Sequence, residues 1–355
     1  MPAWARSEVV RYGEVGVYHV WSRCVRRAFL CGTDPLTGKD HNHRRQWIHE
    51  FEKQLAGLYG LEIGFHVEMS NHLHLVVRSR PDVVATWTDQ EVVRRALTIY
   101  RLVKSKDGRT IRAVHANEIA LALADPQRVP ELRRRLSDVS CFMQSVCEYV
   151  ARRANREDEC RGAFFEERFK ARFLADESAI LVCGIYVDLN QIRAGEAVTP
   201  EESYHTSAHE RIVACQARAA DTSPPSRGHA ATDGWLCELT LQEGPSVDVQ
   251  QLCCTMSPRR ASEKGLLPIR LDEYLKLLDW TGRAIRAEKK GTIPDHLAPI
   301  LQRLGINTAV WIDLVTRFDE LFSHVVGHVE RVAARAAQAG RRWYRGQARC
   351  AVAFG

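Results

Sequence analysis

The sequence predicts an α+β fold: one antiparallel sheet with helices packed on it, followed by a small α-helical C-terminal region. Three observations predict it. Segments that alternate with period two and segments with helical periodicity follow one another as strand, helix, strand, strand, helices, strand, helix. Only a short "MSN" turn separates "LEIGFHVEM" from "HLHLVVRS", which reads as an antiparallel hairpin. Past residue 265 the apolar pattern is helical.

The elements follow in order. "EVGVYHVWSRCV" (14–25) alternates and is rich in Val, Tyr and Trp, a strand pattern. "HRRQWIHEFEKQLAGLYG" carries Trp47, Phe51 and Leu55 on one helical face and stops near Gly60. The hairpin comes next. "WTDQEVVRRALTIYRLVKS" opens with a capping box, Thr88 with Glu91, and a hydrophobic staple, Trp87 with Val92. "SDVSCFMQSVCEYVARRANR" aligns Val139, Phe142, Val146 and Tyr149. "GAFFEERFKARFLA" reads as a strand. "DESAILVCGIYVDLNQIRAG" reads as one helix striped by Leu181, Ile185, Leu189 and Ile192, with Gly195 as its C-cap. Residues 1–215 thus form the expected main domain. Residues 216–265 are Pro-, Ser- and Gly-rich and read as a linker or poorly ordered insert. Residues 266–355 hold two amphipathic helices, "LDEYLKLLDWTGRAIRAEKK" and "TAVWIDLVTRFDELFSHVVGHVERVAARAAQ", and the basic, aromatic "GRRWYRGQAR".

The 355 residues carry 50 Lys and Arg against 44 Asp and Glu, a formal net charge of +6, with arginine clustered in "ELRRRL", "YVARRANRE" and the tail. Arginine interleaved with aromatics suits phosphate and base stacking, although any single cluster reads more simply as a solvated helix face. No apolar run reaches the roughly 20 residues that span a bilayer, and the N-terminus lacks the apolar core of a signal peptide; a cytoplasmic protein is expected. The eleven cysteines form no CxxC pair and read as reduced thiols, Cys253 and Cys254 included.

Chemistry concentrates at "EMSNHLHLVVRS". A strand repeats every two residues, so His72 and His74 share one face and Leu73, Leu75 and Val77 the other. Two imidazoles a few ångströms apart are half of a metal site, and a third donor is expected from a helix over the sheet. Tyr186 and Asn190 stand four apart on such a helix and are therefore neighbours on its surface. A cation beside Tyr186 would favour its phenolate and stabilise charge on a phosphodiester under attack.

"SNHLHLVV" resembles the His-hydrophobic-His motif of the HUH endonucleases, and "YVDLNQIRAG" the tyrosine helix of their single-tyrosine transposase branch, REP-associated type. "VGVYHVWSRCVRRAFL" and "GAFFEERFKARFL" are similar to that family's first strand and to the strand before the tyrosine helix, so the resemblance spans roughly residues 10 to 210. It implies an HUH endonuclease-like, ferredoxin/RRM-like sandwich. It also implies cutting and joining of single-stranded DNA beside hairpins through a 5′-phosphotyrosine. Tyr186 is then the nucleophile, and His72, His74 and Asn190 hold Mg²⁺ or Mn²⁺. Gln191 stands where the family has proline, and Ser70 replaces another common proline; neither change removes a reacting group. The resemblance leaves monomer and homodimer both open and gives residues after about 216 no role.

Arg193, one turn after Asn190, reads equally as a DNA contact or a helix-end cap. Arg152 and Arg153 are candidates for tracking phosphates, and Arg341, Arg342, Trp343, Tyr344 and Arg345 for binding a hairpin or flanking strand. His66 reads as a core histidine, "DHNHRR" as a loop, and the pairs His205/His209 and His324/His328 as packed or surface residues. Two other functions compete: a catalytically silent DNA-hairpin-binding protein derived from such a transposase, and a metallohydrolase that uses water in place of tyrosine.

Overall fold

The computed structural model describes residues 9–25, 29–34, 37–220, 233–241, 260–262, 264–286, 294 and 296–354. In chain order the elements are β1 (Gly16–Arg23), α1 (His43–Ala56), β2 (Leu61–Glu68), β3 (His72–Ser79), α2 (Pro81–Thr86), α3 (Asp89–Lys104), α4 (Ala116–Leu123), α5 (Arg128–Leu136) and α6 (Val139–Glu157). There follow β4 (Lys170–Leu174), α7 (Glu177–Asp188), α8 (Asn190–Arg193), α9 (Ser207–Ala220), α10 (Leu271–Arg286), α11 (Ala298–Arg303), α12 (Trp311–Thr316), α13 (Phe318–Leu321), β5 (Val325–Val326), α14 (Val329–Gln338) and α15 (Gln347–Phe354).

The strands form one sheet in the order β2-β3-β1-β4-β5. β2 with β3, β3 with β1 and β1 with β4 pair antiparallel, and β5 runs parallel to β4. Helices cover both faces. On one, Leu73, Leu75 and Val77 bury against Trp47 and Phe51 of α1 and Phe142 and Val146 of α6. On the other, Phe65, Val67 and Val76 share a core with Leu181 and Ile185 of α7, Leu277 of α10 and Trp311 of α12. Burial on both faces explains why β2 is buried along its whole length rather than at alternate residues.

Helix starts follow their capping residues. The Asp138 and Asp176 carboxylates accept from Ser140 N (2.7 Å) and Ala179 N (3.0 Å). Thr88 Oγ1 accepts from Glu91 N at 3.2 Å, but the Glu91 side chain pairs with Arg94 and Arg95, so only half of the expected capping box forms. "GAFFEERFKARFLA" is a strand only over its last part, β4; upstream, Phe165 makes a single bridge to Cys24.

Two departures shape the site. The segment from Thr308 to Gln338, expected as one long helix, is broken into α12, α13, β5 and α14. Gly327 has φ +152°, and a Cβ there would collide with Asp176 Oδ2, which also accepts the His328 N–H at 2.6 Å. A backbone held that way cannot continue a helix, so the chain runs extended and lays β5 on the sheet. The C-terminal helices therefore pack in one core with α7. The described parts of 216–265 are also packed: Trp235, Leu236, Cys237 and Leu239 are buried, Leu236 bridges Ile63, and Arg78 donates to Gly265 O at 2.7 Å. The nine cysteines among the described residues are free thiols, and Cys253 and Cys254 lie outside them. Among the described residues no helix is long and apolar enough to cross a membrane.

Candidate functional site

The register of β1 on β3 pairs Trp21 with His74 and Arg23 with His72. His19, Trp21, His72 and His74 therefore project to the face that α7 covers. The His72 and His74 rings are 4.8 Å apart at 80°, and His19 stacks on His74 at 5.1 Å. Each histidine is oriented through Nδ1: His72 by Asn71 Oδ1 (2.5 Å), His74 by His19 Nε2 (2.8 Å). That leaves Nε2 of each ring as the donor atom for an ion, the arrangement metal-ligating histidines commonly have. Burial pushes His72 down to about 4, helped by Arg23, and His19 down to about 3; burial and the neighbouring imidazoles push His74 well below its ordinary value. All three rings are neutral near pH 7, with lone pairs available.

Tyr186 of α7 is buried at 4% exposure, with its ring edge-on to His74 at 5.7 Å and to His19 at 6.0 Å. Its hydroxyl donates to Asp319 Oδ2 at 2.6 Å. Asp319, on α13, is fixed by Arg172 Nη1 at 3.0 Å. Arg172 lies between Trp21 (5.2 Å) and Phe318 (4.8 Å) and donates to Ser323 O at 2.5 Å and Phe322 O at 2.9 Å. Burial, then the Asp319 charge, raises the phenol above its usual value. Burial opposes ionisation of Asp319, but His19, Arg172 and His74 together hold its carboxyl far below the usual range. The Arg193 guanidinium sits 4.6 Å from the centre of the Tyr186 ring and donates to Thr316 O at 2.6 Å.

Asn190 is buried, but not on one unbroken helix with Tyr186. α7 ends at Asp188, Leu189 turns (φ −90°, ψ 4°), and Asn190 opens the short α8. Among the described residues the Asn190 Nδ2 atom has no hydrogen-bond partner. Since amide nitrogen and oxygen exchange places by a flip, this is also a position for an oxygen donor. Among the described residues no group of three or more His, Cys, Asp or Glu ligand atoms includes His72 and His74. Gln191 donates to Tyr204 O at 2.9 Å and ties down the segment that follows.

The arginines expected to touch DNA have varied surroundings. Arg153 lies on the opposite face, 4.5 Å over Trp47, donating to Asp107 O at 2.9 Å; its neighbour Arg152 pairs with Glu148 at 3.8 Å. In the tail Arg342 and Arg345 are exposed or partly so, Arg341 is half-buried, Trp343 is 64% exposed and Tyr344 is buried. Ser323 Oγ donates to Arg345 O, which sets the tail beside the strand of chain that Arg172 holds. Sequence reasoning missed His19, Arg172 and Asp319. His19 had a signal, since it shares the strand alternation with Trp21; Asp319 had none.

The site thus lies on a mixed sheet with helices on both faces, beneath a tyrosine-bearing helix. No protein-family model matches the sequence, and no curated protein does. The solved structure of a REP-associated tyrosine transposase bound to a REP hairpin matches with 11% identity over 64% of this chain and 98% of that chain, at a TM-score of 0.35. A likeness of that size assigns no residue a role. His and Glu groups able to hold a metal are present elsewhere in the fold, around His49, His66, Glu68 and Glu210 and around His41, Glu157 and Asp158.

Proposed function

We propose that the chain is a metal-dependent single-stranded DNA endonuclease and strand transferase, a transposase-type enzyme acting beside hairpins. The observation that carries this reading is the Tyr186 ring against His74, which in turn stands beside His72 on the same sheet face. The neutral Nε2 atoms of His72 and His74 and the amide of Asn190 are the residues that would hold Mg²⁺ or Mn²⁺. When bound, that ion draws charge from the non-bridging phosphate oxygens.

Tyr186 Oη attacks phosphorus, and its proton leaves to solvent. The new Tyr–O–P bond replaces the P–O3′ bond, and the leaving 3′ oxygen takes up a proton from solvent, giving a 3′ hydroxyl and a 5′-phosphotyrosine. A second 3′ hydroxyl can reverse the exchange, so joining needs no outside energy source. Asp319 holds the phenol in place before attack, through a bond that must be given up when the oxygen turns to phosphorus. Arg193 lies over the same ring and supplies positive charge where the phosphate would arrive.

The test is incubation of the full chain with a hairpin-containing single-stranded oligonucleotide and Mn²⁺. A denaturation-resistant protein–DNA adduct is expected, lost in Tyr186→Phe and on chelation, with DNA binding retained. Cleavage that survives Tyr186→Phe would assign the reaction to water. A second reading, a silent hairpin-binding protein, is favoured by one observation: the phenol is buried and already bonded to Asp319. That reading predicts hairpin binding with no adduct from any DNA.

A further inference from the structure

A second group of donors lies across the sheet from Tyr186. His66 and Glu68 of β2 pair with Leu75 and Leu73 of β3, so their side chains project to the face that α1 covers. There they meet His49 and Glu52 of α1, Glu210 of α9 and His205, which has φ +60° in the turn before α9. One ligand atom each from His49, His66 and Glu210 lies within 4.8 Å of the others. The same holds for His49, Glu68 and His205, and for Glu52, His66 and Glu68. His49 Nε2 meets Glu210 Oε1 directly. His66 Nδ1 is 3.3 Å from Glu68 Oε1, His49 Nδ1 is 3.9 Å from that oxygen, and His66 Nε2 is 4.0 Å from Glu210 Oε1.

The group is buried. His66 and Glu52 are 0% exposed and Glu68 1%; the Glu52 carboxyl meets that of Glu68, while among the described residues His49 Nδ1 and His66 Nε2 have no hydrogen-bond partner. Buried polar atoms without partners are costly, and here two imidazole nitrogens share one pocket with carboxyl groups. Charge adds to the case. Burial and the Glu68 charge push the Glu52 carboxyl well up, so the negative charge rests on Glu68 and Glu210; among the described residues, the one ammonium in ion-pair range of them is that of Lys53, 3.3 Å from Glu210. Trp235 closes the outer side, its Nε1–H donating to Glu210 Oε2 at 2.5 Å.

We propose that His49, His66 and Glu210 bind a divalent transition-metal ion, with Glu68, Glu52 and His205 at the margin of the site. Mixed imidazole and carboxylate donors suit Zn²⁺, Fe²⁺ or Mn²⁺ better than the all-oxygen preference of Mg²⁺. The site is enclosed, and its ligands come from α1, β2 and α9, so the ion is structural: it ties a helix on either side of an edge strand to that strand. This inference does not depend on the nuclease reading, because the two sites lie on opposite faces of the sheet and share no residue.

The test uses the full chain with His72→Ala and His74→Ala, which removes the other imidazole pair. The protein is stripped with chelator, loaded with Zn²⁺, desalted and assayed for bound zinc by mass spectrometry, with thermal melting alongside. About one equivalent of zinc and a zinc-dependent rise in Tm are expected. Adding Glu68→Gln and Glu210→Gln should weaken zinc binding by about tenfold or more, the order seen when metal-site groups are lost. Zinc absent from the first protein, or retained unchanged in the second, overturns the proposal. Should the second variant not fold, X-ray absorption on the zinc-loaded first protein decides: a nitrogen and oxygen shell supports the site, and a sulfur-containing shell overturns it.

Discussion

Replacing Asp319 by asparagine tests what the carboxylate does for the phenol. The Tyr186–Asp319 bond is short and charge-assisted, at 2.6 Å. Hydrogen bonds to charged groups contribute roughly 1.5–3 kcal/mol and neutral ones roughly 0.5–1.5 kcal/mol. The amide introduced by Asp319→Asn would still accept a bond, so about 1–2 kcal/mol of ground-state restraint disappears. At about 1.4 kcal/mol per decade, DNA cleavage should speed up by about 5- to 30-fold. The competing role, general base, is thermodynamically poor. An ordinary phenol lies about 6 pK units above an ordinary aspartate, so the transfer is uphill by about 8 kcal/mol. Both shifts seen here, the phenol up and Asp319 down, widen that gap. The assay is single-turnover adduct formation on a hairpin oligonucleotide with Mn²⁺, with melting as a control. The weakened bond and the lost partner of the buried Arg172 should lower stability by about 1–2 kcal/mol or more, so the melting control shows that the variant is still folded under the assay conditions. A fall in rate of about 100-fold or more, the scale of lost proton transfer, would refute this reasoning.

Further outcomes follow from the packing. Gly184 lies in the middle of α7, where an added Cβ would come within 2.6 Å of the Phe65 ring; Gly184→Ala should lower stability by about 1–3 kcal/mol and, by lifting the tyrosine helix off β2, lower adduct formation as well. Trp343→Ala should weaken single-stranded DNA binding by about 1–3 kcal/mol if a base stacks there, with Tm unchanged, whereas Tyr344→Ala should lower Tm because that ring is buried. Asp158 and Glu157 clasp the fully buried Arg44 at the end of α6. Burial opposes their ionisation, but bonds from Arg44, Lys39 and His43 outweigh it and hold both carboxyls below their ordinary values. A depressed carboxyl pKa stabilises the fold above the unfolded-state value near about 4 and loses that contribution as pH falls through the folded-state value. Asp158→Asn should therefore cost about 1–2 kcal/mol in denaturant melts at about pH 7, and its difference from the parent chain should shrink as pH falls below about 4; a difference undiminished in acid would count against the clasp.

Much of the fold could be read locally. The hairpin carrying His72 and His74, the cap at Thr88 and the helical pattern around Leu181 and Ile185 all depend on neighbours within a few residues, which is where periodicity and capping act. What could not be read depended on distant parts of the chain. Nothing around Asp319 distinguishes it from any helix-surface aspartate; it matters because Arg172, some 147 residues earlier in the chain, draws it to the phenol. The break at Gly327 was hidden because apolar residues on both sides keep helical spacing, while the constraint comes from Asp176 in another element. His66 read as a core residue because its neighbours in sequence are apolar; its partners come from α1 and α9, with no spacing that a motif could record.

The way β5 and α13 are laid down bears on the order of synthesis. While a ribosome has made only the first 300 or so residues, the outer edge of β4 has no neighbour, and no carboxylate stands beside the phenol. The reacting oxygen acquires its restraint only when the last part of the polypeptide closes over it. A chain cut short before residue 318 would leave that oxygen unrestrained and a strand edge open to pairing with other chains.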